Sequence, residues 1–158
     1  MDGLGFDVNC CPPDWKLGRM RQYAVELASG EYVATWDDDD ESAPNRLAVQ
    51  LEALEGVETS DACTLLRVMV EDVGRGRKFI GPRLAWPQTM LARRISMPAY
   101  RPELTTGEDS VVVAQMRTLV VLDRPELYTY RIHGSNVAGQ AWWAQEAWEK
   151  RTGDWGTR

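Results

Sequence analysis

The stretch Glu31-Tyr32-Val33-Ala34-Thr35-Trp36-Asp37-Asp38-Asp39-Asp40-Glu41-Ser42-Ala43-Pro44 decides the architecture. Residues 31–36 are apolar and β-rich, and predict a buried strand. Four aspartates follow at once. Then Ser42 can cap a helix, Pro44 suits its first turn, and Leu47, Leu51 and Leu54 recur at helical spacing. The aspartates therefore occupy a short strand-to-helix loop. In α/β proteins ligands gather at the carboxyl ends of strands, and helix N-termini there favour anions. Adjacent carboxylates repel, and burying even one without a partner costs roughly several kcal/mol. The cluster is either solvated or meets something positive.

The pattern extends in both directions. Upstream, Tyr23, Ala24, Leu27 and Ala28 share one face of a helix predicted over 18–29, with Gly30 as its C-terminal cap. Residues 1–16, rich in Gly, Pro and Asp, read as loop. Downstream, residues 63–71 and 77–85 read as strands of a hairpin turned by Gly74-Arg75-Gly76, and 89–94 as a further strand. A loop with Pro98 and Pro102 leads to Thr106-Gly107-Glu108-Asp109, which opens a helix over 109–118. Strands are predicted at 119–123 and 127–132, then the turn His133-Gly134-Ser135-Asn136, then a tryptophan-rich helix over about 138–150. Strands alternating with helices predict an α/β domain.

The bulk properties narrow the function. The 158 residues suit one domain, 1–158, and 44% hydrophobic residues suffice for a core. A net charge of -6 argues against a nucleic-acid footprint, so anions must be met locally or through a metal ion. No apolar run of about 18 residues predicts a membrane span. Met1–Asp7 shows no export signal, and three cysteines without a C-x-x-C pair predict reduced thiols and a cytoplasmic setting.

Three groups of residues can carry chemistry. Asp37 and Asp39, with one residue between them, can share a hard divalent cation, Mg²⁺ or Mn²⁺, that keeps positions open for phosphates. They can equally form a solvated acidic loop that caps the next helix. Glu108 and Asp109 offer a general base toward a hydroxyl, or ordinary acidic capping of a helix start. Arg131 and His133 alternate along a strand and so face one side, within reach of a diphosphate or metal, or serve as a surface arginine and a turn anchor. Trp142, Trp143, Trp148 and Trp155 fit packing of a terminal helix or a subunit contact better than sugar stacking.

In this order the segments resemble the family 2 glycosyltransferases of the GT-A fold. The resemblance rests on Leu17-Gly18-Arg19-Met20-Arg21-Gln22, the Gly30-Glu31-Tyr32 strand, Asp37–Asp40, the Pro44 to Leu47 helix start, Gly107-Glu108-Asp109 and Tyr130–Asn136. It covers about residues 16–137, leaving 138–158 as a C-terminal helix and tail. It implies a mixed sheet flanked by helices. It also implies an inverting, metal-dependent transfer of a sugar from a nucleoside-diphosphate sugar to a hydroxyl of a glycan, lipid or protein. By position, Asp37 and Asp39 match the Asp-x-Asp metal ligands for Mn²⁺ or Mg²⁺, with His133 as a further metal or diphosphate ligand. Asp109 matches the catalytic base, with Glu108 beside it, and Arg21 the donor-side arginine; Gln22 stands where the family has asparagine. Arg131 joins Glu108 and Arg21 as a substrate-binding candidate. The family's first βαβ unit, which holds the nucleotide base, has no counterpart here, so the chain is expected to be a truncated form. The alternative is a non-catalytic module that forms a homo-oligomer through the tryptophan-rich helix.

Overall fold

The structure, a computed structural model, describes residues 11–136. The tryptophan-rich helix predicted over 138–150 lies outside the described residues. The first helix, α1, spans Leu17–Leu27. Its start is stitched to the loop ahead of Gly107: the Gly18 N–H donates to the Leu104 carbonyl at 2.9 Å, and the Tyr100 N–H donates to Gln22 Oε1 at 2.9 Å. A Cβ at Gly18 would lie 2.1 Å from the Arg101 carbonyl oxygen, so only glycine lets the helix approach this closely. That approach fixes the height of Arg21, one turn along.

Two four-stranded mixed sheets form the body. The first has the order β1 (Tyr32–Ala34), β6 (Trp86–Arg93), β3 (Ala62–Leu65), β7 (Leu119–Leu122); β6 is antiparallel to both neighbours and β3 parallel to β7. Side chains alternate across this sheet. Ala62, Met90 and Ala92 face Tyr100 and Val112, on the side of α1 and the short helix α3 (Glu108–Val113). Cys63 and Leu91 face Leu54 of α2 (Arg46–Glu55) on the other side. The result is a helix–sheet–helix sandwich. The second sheet has the order β2 (Glu41–Ser42), β8 (Tyr128–Ile132), β4 (Met69–Asp72), β5 (Arg77–Ile80), and packs through Val68, Val70, Trp86, Leu127, Tyr128 and Tyr130.

The predicted order of elements holds, with instructive exceptions. The run 63–71 is two strands, not one: the chain leaves the first sheet after Leu65 and enters the second at Met69. Leu65, Val68 and Val70 are all fully buried, so only Arg67, which pairs with Asp123, interrupts the apolar pattern at the break. The run 77–85 stops at Ile80, where Gly81 turns so tightly against Trp86 that a Cβ would come within 2.7 Å of its ring. The next strand starts three residues early, at Trp86, and the helix predicted over 109–118 ends at Val113. The hairpin itself forms as expected, with Gly76 at φ 61 and Asp72 Oδ1 accepting the Arg75 N–H. Ser42 does not cap α2. It lies in β2, paired with Tyr128, and Asn45 takes the cap position. Nor does α2 bury a leucine face: Arg46, Gln50 and Leu54 are buried, and Leu47 is 39% exposed.

Candidate active site

The pairing of β2 with β8 builds one half of the site. Glu41 sits opposite Thr129 and Ser42 opposite Tyr128, so the acidic turn ends beside the end of β8. Asp40 then becomes a half-buried latch. Its carboxylate accepts the Tyr128 hydroxyl and, at 2.8 Å, the Arg131 N–H. Burial pushes its pKa up to about 6, against the pull of those two hydrogen bonds. One residue earlier, Asp39 Oδ2 meets His133 Nε2 at 3.0 Å, with Asp39 the more exposed of the pair.

The His133 turn is laced by Asn136, whose Oδ1 accepts the His133 N–H at 2.6 Å and whose Nδ2 donates to the Arg131 carbonyl at 3.0 Å. His133 Nδ1 is 2.9 Å from Ser135 Oγ. With the proton on Nε2, the ring donates to Asp39. With the proton on Nδ1, it donates to Ser135, and Nε2 presents a lone pair beside the Asp39 carboxylate.

The other half hangs on Arg21. Its Nη2 bridges Asp37 Oδ1 at 2.8 Å and Asp109 Oδ2 at 3.1 Å, while Nε donates to Glu108 Oε1 at 3.0 Å. Glu108 and Asp109 are buried in the first turn of α3, which begins after Gly107 in the left-handed conformation, φ 71. Burial works against the Arg21 charge, but the Asp109 and Asp37 carboxylates more than offset it and hold the pKa above the ordinary value. Asp109 is the perturbed member. Burial pushes its pKa up to about 6; Arg21 opposes this, and the Glu108 and Asp37 charges add to it. Its Oδ1 is buried without a hydrogen-bond partner among the described residues. Tyr100, buried alongside, has its own pKa raised by burial and by the Asp109 charge.

The structure thus brings Arg21, Asp37, Glu108 and Asp109 into one cluster, and Asp39 with His133 into a second, joined through the turn 37–39. The Arg131 side chain joins neither. It reaches Glu71 at 3.3 Å and Glu41 at 3.9 Å, and only its backbone touches the turn. Alternation placed Arg131 and His133 on one side of a strand, but β8 ends at Ile132 and His133 lies in the turn beyond it.

Among the described residues no group of three or more His, Cys, Asp or Glu is arranged as a metal site. Asp37 is engaged by Arg21, so a protein-only cage does not fit. The adjacent Asp39 carboxylate and His133 imidazole do fit a divalent cation that completes its shell with phosphate oxygens and water.

Sequence reading missed Arg46, Tyr128, Tyr100 and the latching role of Asp40. Arg46 is fully buried, with its guanidinium 4.5 Å from the Trp36 ring centroid and 5.3 Å from that of Tyr128. A charged residue four positions before the buried Gln50 and eight before Leu54, on one helical stripe, was the available signal.

Comparison with known proteins bears on the fold and the family. No curated protein matches the chain. Among solved structures, S. aureus TarS 1–349 in complex with UDP superposes with a TM-score of 0.57 at 19% identity, over 75% of this chain and 41% of that one. TarS 1–349 alone gives 0.56 at 19% identity, over 73% and 40%. The chain therefore spans about two fifths of the TarS structures, and shares their GT-A fold over that part. The Glycosyl transferase family 2 model matches residues 8–112, from before α1 to the last residue but one of α3, which includes Arg21, the acidic turn, Glu108 and Asp109. On that match the chain belongs to the family 2 glycosyltransferases.

Proposed function

We propose that this domain supplies the diphosphate and acceptor side of an inverting sugar transfer from a nucleoside-diphosphate sugar to a hydroxyl. The observation that carries the reading is Asp109. It is a buried carboxylate with one oxygen held by Arg21, the other unpartnered among the described residues, and a pKa raised to about 6. That is the environment of a general base near neutral pH. The Asp109 carboxylate, whose side chain keeps 11% of its surface exposed, would take the proton from the acceptor hydroxyl. The acceptor oxygen forms its bond to the anomeric carbon as the bond from that carbon to the diphosphate oxygen breaks, with inversion. Arg21 holds the base in place, and Glu108 lies beside it for sugar or acceptor contacts. Asp39 and His133 would hold Mn²⁺ or Mg²⁺, which when bound supplies Lewis-acid stabilisation of the leaving diphosphate. The UDP carried by TarS supports a nucleotide donor.

Thermal unfolding tests this directly. UDP or GDP is expected to raise the melting temperature only with Mn²⁺ present, and Asp39→Ala to remove that shift. A wild-type protein that no nucleoside diphosphate stabilises, with or without metal, would count against the reading.

The pH dependence follows from Asp109. The base must be ionised, so kcat/KM is expected to fall about tenfold per pH unit below about 6, the value to which burial raises it. The same shift acts on stability with a defined sign. The folded state binds this proton more tightly than the unfolded state, so the Asp109 contribution declines as pH rises from about 4 to about 6. A chemical-denaturation series across that range measures it.

A further inference from the structure

We propose that Arg46 is a positioning residue that holds the acidic turn 36–40 in one conformation from beneath. It is the first residue of α2 and is fully buried, yet it has no ion pair among the described residues. Among the described residues its one side-chain hydrogen bond runs from Nη2 to the Thr35 carbonyl at 3.0 Å, and Nε and Nη1 have no partner. A guanidinium compensated this sparsely is a poor stabilising device, since replacing such a charge with a well-packed apolar group is often neutral or favourable. What it touches is more informative.

The carbonyl of Thr35 and the ring of Trp36 belong to the residues entering the turn. The ring of Tyr128 belongs to the residue whose hydroxyl fastens Asp40, at the turn's exit. One side chain therefore touches residues at both ends of the acidic run, and its positive charge is felt by Asp37, the first of the four carboxylates. The backbone around it is fixed independently. The Arg46 N–H donates to the Ala43 carbonyl at 2.9 Å, and the Ala43 N–H to the Leu127 carbonyl at 3.0 Å. With Arg46 in place, Asp39 is presented to His133 and Asp37 to Arg21 at the same time. The functional consequence rests on the donor-site reading above; the conformational one does not.

Two variants test it. Arg46→Met keeps volume and removes the charge and its donors, while Arg46→Lys keeps the charge and one donor for Thr35. Amide hydrogen exchange is measured on the ligand-free proteins, and Mn²⁺-UDP affinity by calorimetry. Arg46→Met is expected to melt within a few degrees of wild type. Its Arg131 amide, which reports the Asp40 latch, should exchange about tenfold faster. Its Gly81 amide, bonded to Val68 in the second sheet, should be unchanged. Mn²⁺-UDP affinity should fall about tenfold, the scale of a misplaced site residue, with Arg46→Lys between. Wild-type exchange at Arg131 in Arg46→Met overturns the proposal. So does an Arg46→Met protein that does not fold, because Arg46 would then be a folding residue. If wild type itself binds no Mn²⁺-UDP, the donor-site reading fails, and the exchange arm still decides the role of Arg46.

Discussion

Asp109→Asn is expected to lower the rate of transfer by about 10²–10⁴-fold, the usual worth of a positioned general base, while leaving nucleoside-diphosphate affinity nearly unchanged. The substitution keeps the shape of the side chain and removes only its ability to hold a proton. Asp109 also lies on the Arg21 side of the site, whereas Asp39 and His133 form the separate cluster proposed to hold the metal and diphosphate. Fold stability argues the same way. The Asp109 carboxylate is disfavoured by burial and by the charges of Glu108 and Asp37, so a neutral amide there removes a repulsion above pH of about 6. Arg21 retains Asp37 and Glu108 as partners. Asp109→Asn should therefore melt no lower than wild type at about pH 8, and transfer kinetics with calorimetric titration of the diphosphate separate the two effects. An active Asp109→Asn would remove Asp109 from the mechanism.

Arg21→Met is expected to have the largest effect on stability, a loss of about 3–5 kcal/mol at neutral pH and above. The guanidinium is the cation that Asp37, Glu108 and Asp109 share, all within 3.1 Å of it and largely shielded from solvent. Without it, three carboxylates face one another in a site where burial already penalises the charge of Asp109. The pH dependence tells this apart from a packing defect. Arg21 is one of the influences that lower the Asp109 pKa, so its removal moves that pKa further above about 6. The folded variant then binds protons more tightly than its unfolded chain over a wider range. Its deficit should be greatest at alkaline pH and shrink as the pH falls toward 5 or so. Denaturant unfolding of both proteins across that range measures the difference. A deficit constant with pH would mean that lost packing, not unshielded charge, is responsible.

The local signals in this chain were strong wherever chemistry and geometry coincide within a few residues. The Gly74–Gly76 hairpin and the helix carrying Arg21 lie where turn residues and helical spacing put them, though the helix is capped at Ala28 rather than Gly30. The strand before the aspartates is present but short, Tyr32–Ala34, and, at the sheet edge, it is not buried as expected. The break between Leu65 and Met69 was hard to read because the fully buried β3 and the half-buried β4 join into one nearly continuous apolar run. The inner face of α2 was illegible for the opposite reason, since the side chains it buries include an arginine and a glutamine. Candidate residues could be named one by one, but their grouping depends on packing across the fold. Arg21 meets Glu108 across 87 residues of sequence, a contact set by the approach of Gly18 to the loop 101–104. The Arg131 side chain went elsewhere because β4 offered it Glu71 in parallel register.

The assignment of Asp39 and His133 to the metal-diphosphate end is open to a direct measurement. Substoichiometric Mn²⁺, added with UDP to isotope-labelled protein, broadens the amide signals nearest the bound ion. Broadening is expected first at residues 37–40 and 133–136, and its loss in Asp39→Ala. Broadening centred instead on another acidic surface, such as Glu52–Glu58 at the far end of α2, or unaltered in Asp39→Ala, would contradict the assignment.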